Sequence, residues 1–144
     1  ESTQLSGDTI HMFTAKQQPR QLDVFYNSLL VNKTKEGLFN QMSGSTMKGY
    51  FKEGQLDFIR TKGSPAEAIF YPQDEDSAYI GMNRTKGDAI DIIFEKKEIN
   101  KVKFINDADG TLFPMNQIPT DQRYFKGFQW HAERRPKSKL ELFE

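Results

Sequence analysis

The sequence GSTMKGYFKEGQLDFI at residues 44–59 recurs as GDAIDIIFEKKEINKV at residues 87–102, without a gap and at an offset of 87 − 44 = 43 residues. Each copy begins with Gly, continues in an alternating run of apolar and polar residues, reverses at charged residues and returns in a second run. In a β-strand every second side chain lies on the same face, so apolar residues that alternate with polar ones form one apolar face. The pattern therefore predicts a repeated pair of strands.

A fainter third copy begins at Gly7, which lies 44 − 7 = 37 residues before Gly44. Repeats of this length are typical of stacked units that bury their apolar face only against neighbouring copies. We therefore expect one all-β domain over residues 1–144, layered and not closed into a barrel, with about eight to eleven short strands. The expected repeat units are 7–43, 44–86 and 87–118, followed by a C-terminal cap and tail at 119–144. The only expected helix is a short turn opened by Pro119 and capped by Thr120 or Asp121.

The composition fits a folded domain with a thin core. The 144 residues include 12 Phe, 5 Tyr and 1 Trp, yet only 36% of the residues are hydrophobic and the mean hydropathy is −0.72. Twenty basic and twenty acidic side chains cancel, so the overall charge favours neither nucleic acid nor an anionic membrane as a partner. The chain has no Cys and two His, which makes a thiolate or histidine metal site improbable, and no apolar run predicts a transmembrane helix.

The alternation within each copy predicts which side chains point inward. Together they would line one continuous apolar slot, whose ends stay open unless a cap closes them. The predicted inward residues are Ile10, Met12, Met47, Phe51, Ile59, Ile90, Ile92, Phe94, Val102 and Phe104.

Two segments resemble ligand sites without having their key residues. A calcium loop with its glycine at Gly110 would need ligands at Ile105 and Asn116, and neither is a carboxylate. We therefore expect a turn at residues 106–110. Residues 81–87 contain two glycines and a lysine, but not in the order of a phosphate-binding P-loop, and are expected to lie between two strands.

The sequence also contains no pattern that predicts a catalytic site. A nucleophile needs a base that a third group holds, but His11 alternates with apolar residues and should face solvent, while His131 lies in a charged tail. Asp88 and Asp91 are three residues apart, which puts them on opposite faces of a strand and not side by side, and outward charges are the simpler expectation for both. We predict neither an enzyme nor a cofactor. A carbohydrate hydrolase remains a minor alternative, and it would need a cleft in which two carboxylates converge.

The C-terminal tail allows two interpretations. Basic residues alternate there with aromatic ones, as in surfaces that bind single-stranded nucleic acid. However, Phe128, Gln129 and Trp130 alternate like a closing strand, whose rings would cover the last open layer while the cations stay solvated. We favour the cap and expect no nucleic-acid partner.

Four ordered motifs resemble the C-terminal part of OstA-like proteins of the Bacteroidota type, which are relatives of the lipopolysaccharide-transport protein LptA. The similarity runs from about Gly7 to the end of the chain. The motifs are LFNQMSG at 38–44, YIGMN at 79–83, DGTLFP at 109–114, and GFQW at 127–130 with RPKS at 135–138.

This resemblance implies an open β-jellyroll of stacked strand pairs in the periplasm, whose slot shields the acyl chains of lipopolysaccharide on its way to the outer membrane. The ligand, lipid A, comes from the resemblance and not from the residue pattern. It also implies a longer full chain, cut at Glu1. The resulting hypothesis is a non-catalytic lipid-binding module. The alternative is an interaction scaffold whose open strand edges pair with a second copy or with another transport protein.

Overall fold

The protein is all-β, with nine strands in the residues that the structure describes. This computed structural model describes residues 2–96, 98–106, 108–128, 130 and 139–143, and it gives the backbone alone for Ser2 and 139–143. Four strands are 14–16 residues long, not short as expected. The strands are β1 Ser2–Ser6, β2 Thr9–Ala15, β3 Gln18–Lys33, β4 Phe39–Lys52, β5 Gln55–Phe70, β6 Gly81–Glu95, β7 Glu98–Ile105, β8 Asp109–Pro114 and β9 Lys139–Phe143.

All nine strands belong to one open antiparallel sheet. Their order is β7-β6-β5-β4-β3-β1-β9, with β2 also paired to β3 and β8 also paired to β6. Among the described strands no pairing joins the two ends, so the sheet does not close into a barrel. Residues 81–87, expected to connect two strands, instead form the first half of β6, where β5 and β8 pair with them on both sides.

Each long strand bends near its middle and so contributes to two layers. The ladders are interrupted by extra residues between Phe25 and Ser28, between Ser43 and Thr46, and between Lys62 and Ala66. Such bulges bend a strand. Layer A consists of β2, β7 and residues 18–25, 46–52, 55–62 and 89–95. Layer B consists of β1, β8, β9 and residues 28–33, 39–44, 66–70 and 81–87. The result is the layered, open all-β arrangement that the repeat pattern predicted, and it has the form of an open jellyroll.

Glycines allow the strands to come close at the bend. A Cβ on Gly44 would lie 2.6 Å from the Lys62 carbonyl oxygen, and one on Gly63 would lie 3.2 Å from the Gly44 Cα. No side chain fits at that separation, so glycine is the residue that the crossing requires. On β3 the bend falls at Tyr26 and Asn27, whose φ angles are 67° and 51°.

The strand pairs recur at the offsets of the sequence repeat. The hairpins β2–β3, β4–β5 and β6–β7 turn at Lys16, Glu53 and Lys96, whose φ angles are 52°, 53° and 53°. These turns are separated by 53 − 16 = 37 and 96 − 53 = 43 residues, as the copies are in the sequence. The expected unit boundaries at Gly44 and Gly87 fall inside β4 and β6, at the bend.

The main hydrophobic core lies between the two layers, and a second one lies outside layer B. Ile69, Tyr71 and Met82 on the outer face of layer B pack against Phe125 from the segment after β8. We call residues 115–128 the strap. The Gln41 side chain holds it, because its Nε2 donates to the Arg123 carbonyl at 2.9 Å and its Oε1 accepts from the Phe125 amide at 2.9 Å. The described part of the predicted C-terminal cap therefore covers the outer face of layer B.

The prediction of a closing strand at residues 128–130 is wrong. The chain turns at Gly127, whose φ is 87°, and the Phe128 amide donates to the Phe125 carbonyl at 3.0 Å, so neither Phe128 nor Trp130 is extended in a ladder. Both rings instead pack edge-on against Phe39, at 5.1 and 5.5 Å between centroids. Gln129 lies outside the described residues, as does His131.

Two short 3₁₀ turns begin the strap, at Met115–Gln117 and Thr120–Gln122. Pro119 precedes the second turn, as predicted, but no side chain caps it. The capping role expected of Thr120 or Asp121 is therefore wrong.

Candidate functional site

The space between layers A and B contains nine of the ten residues predicted to line a slot. The buried ones, at most 4% exposed, are Met47, Ile59, Ile90, Ile92 and Phe94. The partly buried ones, which pack against the same cluster, are Ile10, Phe51, Val102 and Phe104. Met12 differs, because it is 39% exposed on strand β2 at the margin of layer A, although it lies opposite the buried Leu22.

Layer B supplies a second wall that the alternation did not reveal. Its inward residues are Leu5, Leu30, Met42, Ala66, Ala68 and the partly buried Phe70. In β5 the inward positions directly before the bend are odd-numbered, at Ile59 and Thr61, and those after it are even-numbered, at Ala66 and Ala68. The bulge between Lys62 and Ala66 resets the alternation, so a pattern read in one layer does not extend into the other.

The apolar interior reaches the surface at one edge of the sheet. A cavity of about 600 Å³ lies there, between β7 and the loops that follow β3 and β5. Its apolar lining includes Phe70, Ile99 and Val102, all of which pack against the main core. We call this cavity the mouth. Its volume lies in the range of small-molecule sites.

The rim of the mouth is polar and is held by exposed contacts. The Lys35 Nζ lies 3.4 Å from a Glu98 carboxylate oxygen, with side chains that are 72% and 49% exposed. The Tyr79 hydroxyl donates to Glu36 Oε2 at 2.7 Å. Surface pairs of this kind contribute at most about 1 kcal/mol, so the rim can rearrange at low cost. Burial raises the pKa of Tyr71, which also lines the mouth and stays neutral at pH 7.

Polar side chains occupy the inner face of layer B next to the mouth. The Asn40 Nδ2 donates to Asn32 Oδ1 at 3.1 Å, and the Asn32 Nδ2 donates to Thr3 Oγ1 at 2.8 Å. All three residues are buried, and Asn40 also accepts from the Tyr71 amide. The interior is thus apolar near the bend and polar beside the mouth. Thr61 Oγ1, fully buried near the bend, has no hydrogen-bond partner among the described residues.

Among the groups weighed for catalysis, the described ones, His11, Asp88 and Asp91, lie outside this interior. His11 is exposed, as predicted, and its ring contacts Phe25 edge-on at 5.7 Å. Asp91 faces outward but is not solvated, because it is 7% exposed and Arg60 donates two hydrogen bonds of 2.7 Å to its carboxylate. Within the described part of the chain, no three His, Cys, Asp or Glu side chains are placed to hold a metal ion.

No protein-family model matches the chain, and no curated protein matches it. The OstA-like resemblance of the four sequence motifs therefore remains a prediction. In the described residues, no helix has the length and apolar character needed to span a membrane.

Proposed function

We propose that this chain is a non-catalytic lipid-binding module, in which the interior between layers A and B receives an acyl chain through the mouth. The observation that supports this most is the continuity of the apolar cluster with the cavity at Phe70, Ile99 and Val102. An amphiphile would place its chain against these side chains and its polar head at the rim of charged residues. Each methylene taken from water would contribute about 0.8 kcal/mol.

The lipid that we propose is lipopolysaccharide, bound through lipid A in the periplasm on its way to the outer membrane. The four sequence motifs resembling OstA-like proteins support this choice of lipid and compartment. The polar rim supports a ligand with a large hydrophilic head, since Lys35, Lys101 and Asn100 line the mouth next to its apolar floor.

Native mass spectrometry with added lipopolysaccharide tests this siting. Val102→Asp places a carboxylate on the apolar floor of the mouth, at a partly buried position that the fold can tolerate better than the fully buried Ile92. We expect stoichiometric lipid adducts on the wild type and their loss in this variant. Thr111→Asp is the matched control, because it adds the same charge to an exposed residue of β8 outside the mouth, and it should keep the adducts. Equal adducts on a folded Val102→Asp protein would contradict the proposal.

A second candidate function is a scaffold that assembles through strand edges. Among the described strands, β7 pairs only with β6, and β2 pairs only with β3, so each offers an unpaired edge in layer A. Such an edge is a template for strand addition. Because the chain has no Cys, the pair His11→Cys and Lys103→Cys would place one thiol on each edge strand. Disulfide-linked ladders without lipid adducts would favour the scaffold, whereas a monomer with adducts would favour the lipid module.

A further inference from the structure

The outer face of layer A carries aromatic side chains that no other part of the described chain covers. Tyr50 lies directly opposite Gln21 on one side and Phe58 on the other, and Gln21 lies opposite Phe13. Phe13 is 49% exposed and Tyr50 is 41% exposed. The outer face of layer B differs, since the strap packs on it.

The exposed apolar side chains concentrate on neighbouring strands of the sheet. Seven large hydrophobic residues are exposed among those described, and four of them belong to β2, β3 and β4. These four are Phe13 and Tyr50 on the outer face of layer A, Met12, which lies opposite the inward Leu22, and Tyr26, which lies at the bend of β3. A concentration of this kind, bordered by polar residues, is typical of an interaction surface.

The same face is positively charged, although the whole chain has a net charge of 0. Three adjacent rows of directly opposed residues cross layer A. They are 13-21-50-58-93-101, 11-23-48-60-91-103 and 9-25-46-62-89-105. Their cations are Lys48, Arg60, Lys62, Lys103 and Lys101, which also borders the mouth, and their carboxylates are Asp23 and Asp91. The sum is 5 − 2 = +3.

Two of these cations are available to a partner. A groove of about 430 Å³ is lined by Phe25, Tyr50 and Phe58 together with Lys48, Arg60 and Lys62, and also by Asp23, whose carboxylate accepts from the Gln21 side-chain amide at 3.0 Å. Arg60 is occupied by Asp91 at 2.7 Å, and it lies over the Phe58 ring at 5.9 Å. In the described part of the structure, no carboxylate lies within 4 Å of the Lys48 or Lys62 ammonium group.

We propose that the outer face of layer A docks on an anionic lipid bilayer. Phe13 and Tyr50 would enter the interfacial region, where aromatic rings are favoured, while Lys48 and Lys62 contact lipid phosphates. Six strands at about 4.8 Å spacing make the face about 24 Å wide, enough for several headgroups.

The arrangement of charge favours a bilayer over single-stranded nucleic acid. Along the central row the charges run Asp23, Lys48, Arg60, Asp91, Lys103, so carboxylates interrupt any continuous track for a phosphate backbone. Lipids move laterally and can place their phosphates beside the lysines only. The Tyr50 and Phe58 rings are also tilted by 36°, not coplanar as successive stacking platforms would be.

Vesicle co-sedimentation tests this surface on the full chain, using phosphatidylcholine vesicles with and without phosphatidylglycerol. We expect the wild type to bind only vesicles that contain phosphatidylglycerol, and to release them at high salt. The pair Phe13→Ser with Tyr50→Ser and the pair Lys48→Gln with Lys62→Gln should each weaken binding by about tenfold or more. Matched controls are Ile80→Ser with Leu112→Ser, which are 50% and 49% exposed elsewhere, and the exposed Lys86→Gln. These controls should bind as the wild type does.

This inference is independent of the lipid slot, and its failure can be distinguished from failure of the slot. Val102→Asp should keep vesicle binding, because Val102 faces the interior. Absence of sedimentation with either vesicle would overturn the inference, as would unchanged binding in both face variants that remain folded. Tighter binding to an oligothymidylate than to the anionic vesicles in the same buffer would overturn it in favour of nucleic acid.

Discussion

At the scale of single residues, Asp91 and Arg60 form a pair with unusually good geometry for a sheet surface. Two hydrogen bonds of 2.7 Å join the guanidinium to the carboxylate, and the Asp91 side chain is only 10% exposed. The Asp91 interaction raises the pKa of Arg60, through its hydrogen bond first and its charge second. Bidentate pairs of this kind exceed ordinary surface pairs in strength.

We predict that Asp91→Asn lowers the free energy of unfolding by about 1 kcal/mol, since Arg60 is 43% exposed and solvent screens part of the interaction. Glu98→Gln is the control, because its pair with Lys35 is 3.4 Å long and more exposed, and it should change stability by less than about 0.5 kcal/mol. Urea unfolding of both variants measures the difference. Equal losses would mean that geometry and burial do not distinguish the two pairs.

At the scale of the elements, the bend in the long strands determines how the fold is built. Its signals were visible in the sequence as the glycines that begin each copy, and the turn offsets of 37 and 43 could be predicted from them. The bend itself could not be predicted. Its position depends on close approach between strands far apart in sequence, as between Gly44 and Lys62.

The two glycines at equivalent repeat positions should respond differently to substitution. We predict that Gly44→Ala destabilises the protein by about 2–3 kcal/mol, because its Cβ would lie 2.6 Å from the Lys62 carbonyl oxygen. Gly87→Ala should be neutral or stabilising by up to about 1 kcal/mol, since the nearest atom to its Cβ would be 3.4 Å away. Thermal and urea unfolding of the pair measure this. Similar losses in both would show that the repeat position, and not the close approach, is what matters.

At the scale of the whole molecule, the alternation located one wall of the interior but not the other. Nine of the ten predicted inward residues belong to the core, because each keeps the alternation of its own strand within layer A. Leu30, Met42 and Ala68 were missed because bulges separate them from those stretches. The mouth was also missed, since its lining comes from β7 and two loops that no local pattern connects.

The same architecture prevents the two layers from unfolding separately. Strands β3, β4, β5 and β6 each run through both layers, so neither layer can open without breaking the other. We therefore predict that the amides of Leu30 in layer B and Ile92 in layer A exchange with the same opening free energy. Each lies in a strand that pairs with a neighbouring strand on both sides, so its amide exchanges only when the sheet around it opens.

An amide in the strap should exchange more easily than the amides of Leu30 and Ile92. The Phe125 amide is bonded only to the Gln41 side chain in the described structure, and it should exchange through a smaller opening, lower by a few kcal/mol. Native-state hydrogen exchange of wild type and Gly44→Ala measures all three amides. The substitution at the bend should lower the values for Leu30 and Ile92 by the same amount and leave Phe125 nearly unchanged. A difference above about 2 kcal/mol between Leu30 and Ile92 would mean that the layers open independently, and that the bend joins them only by covalent connection.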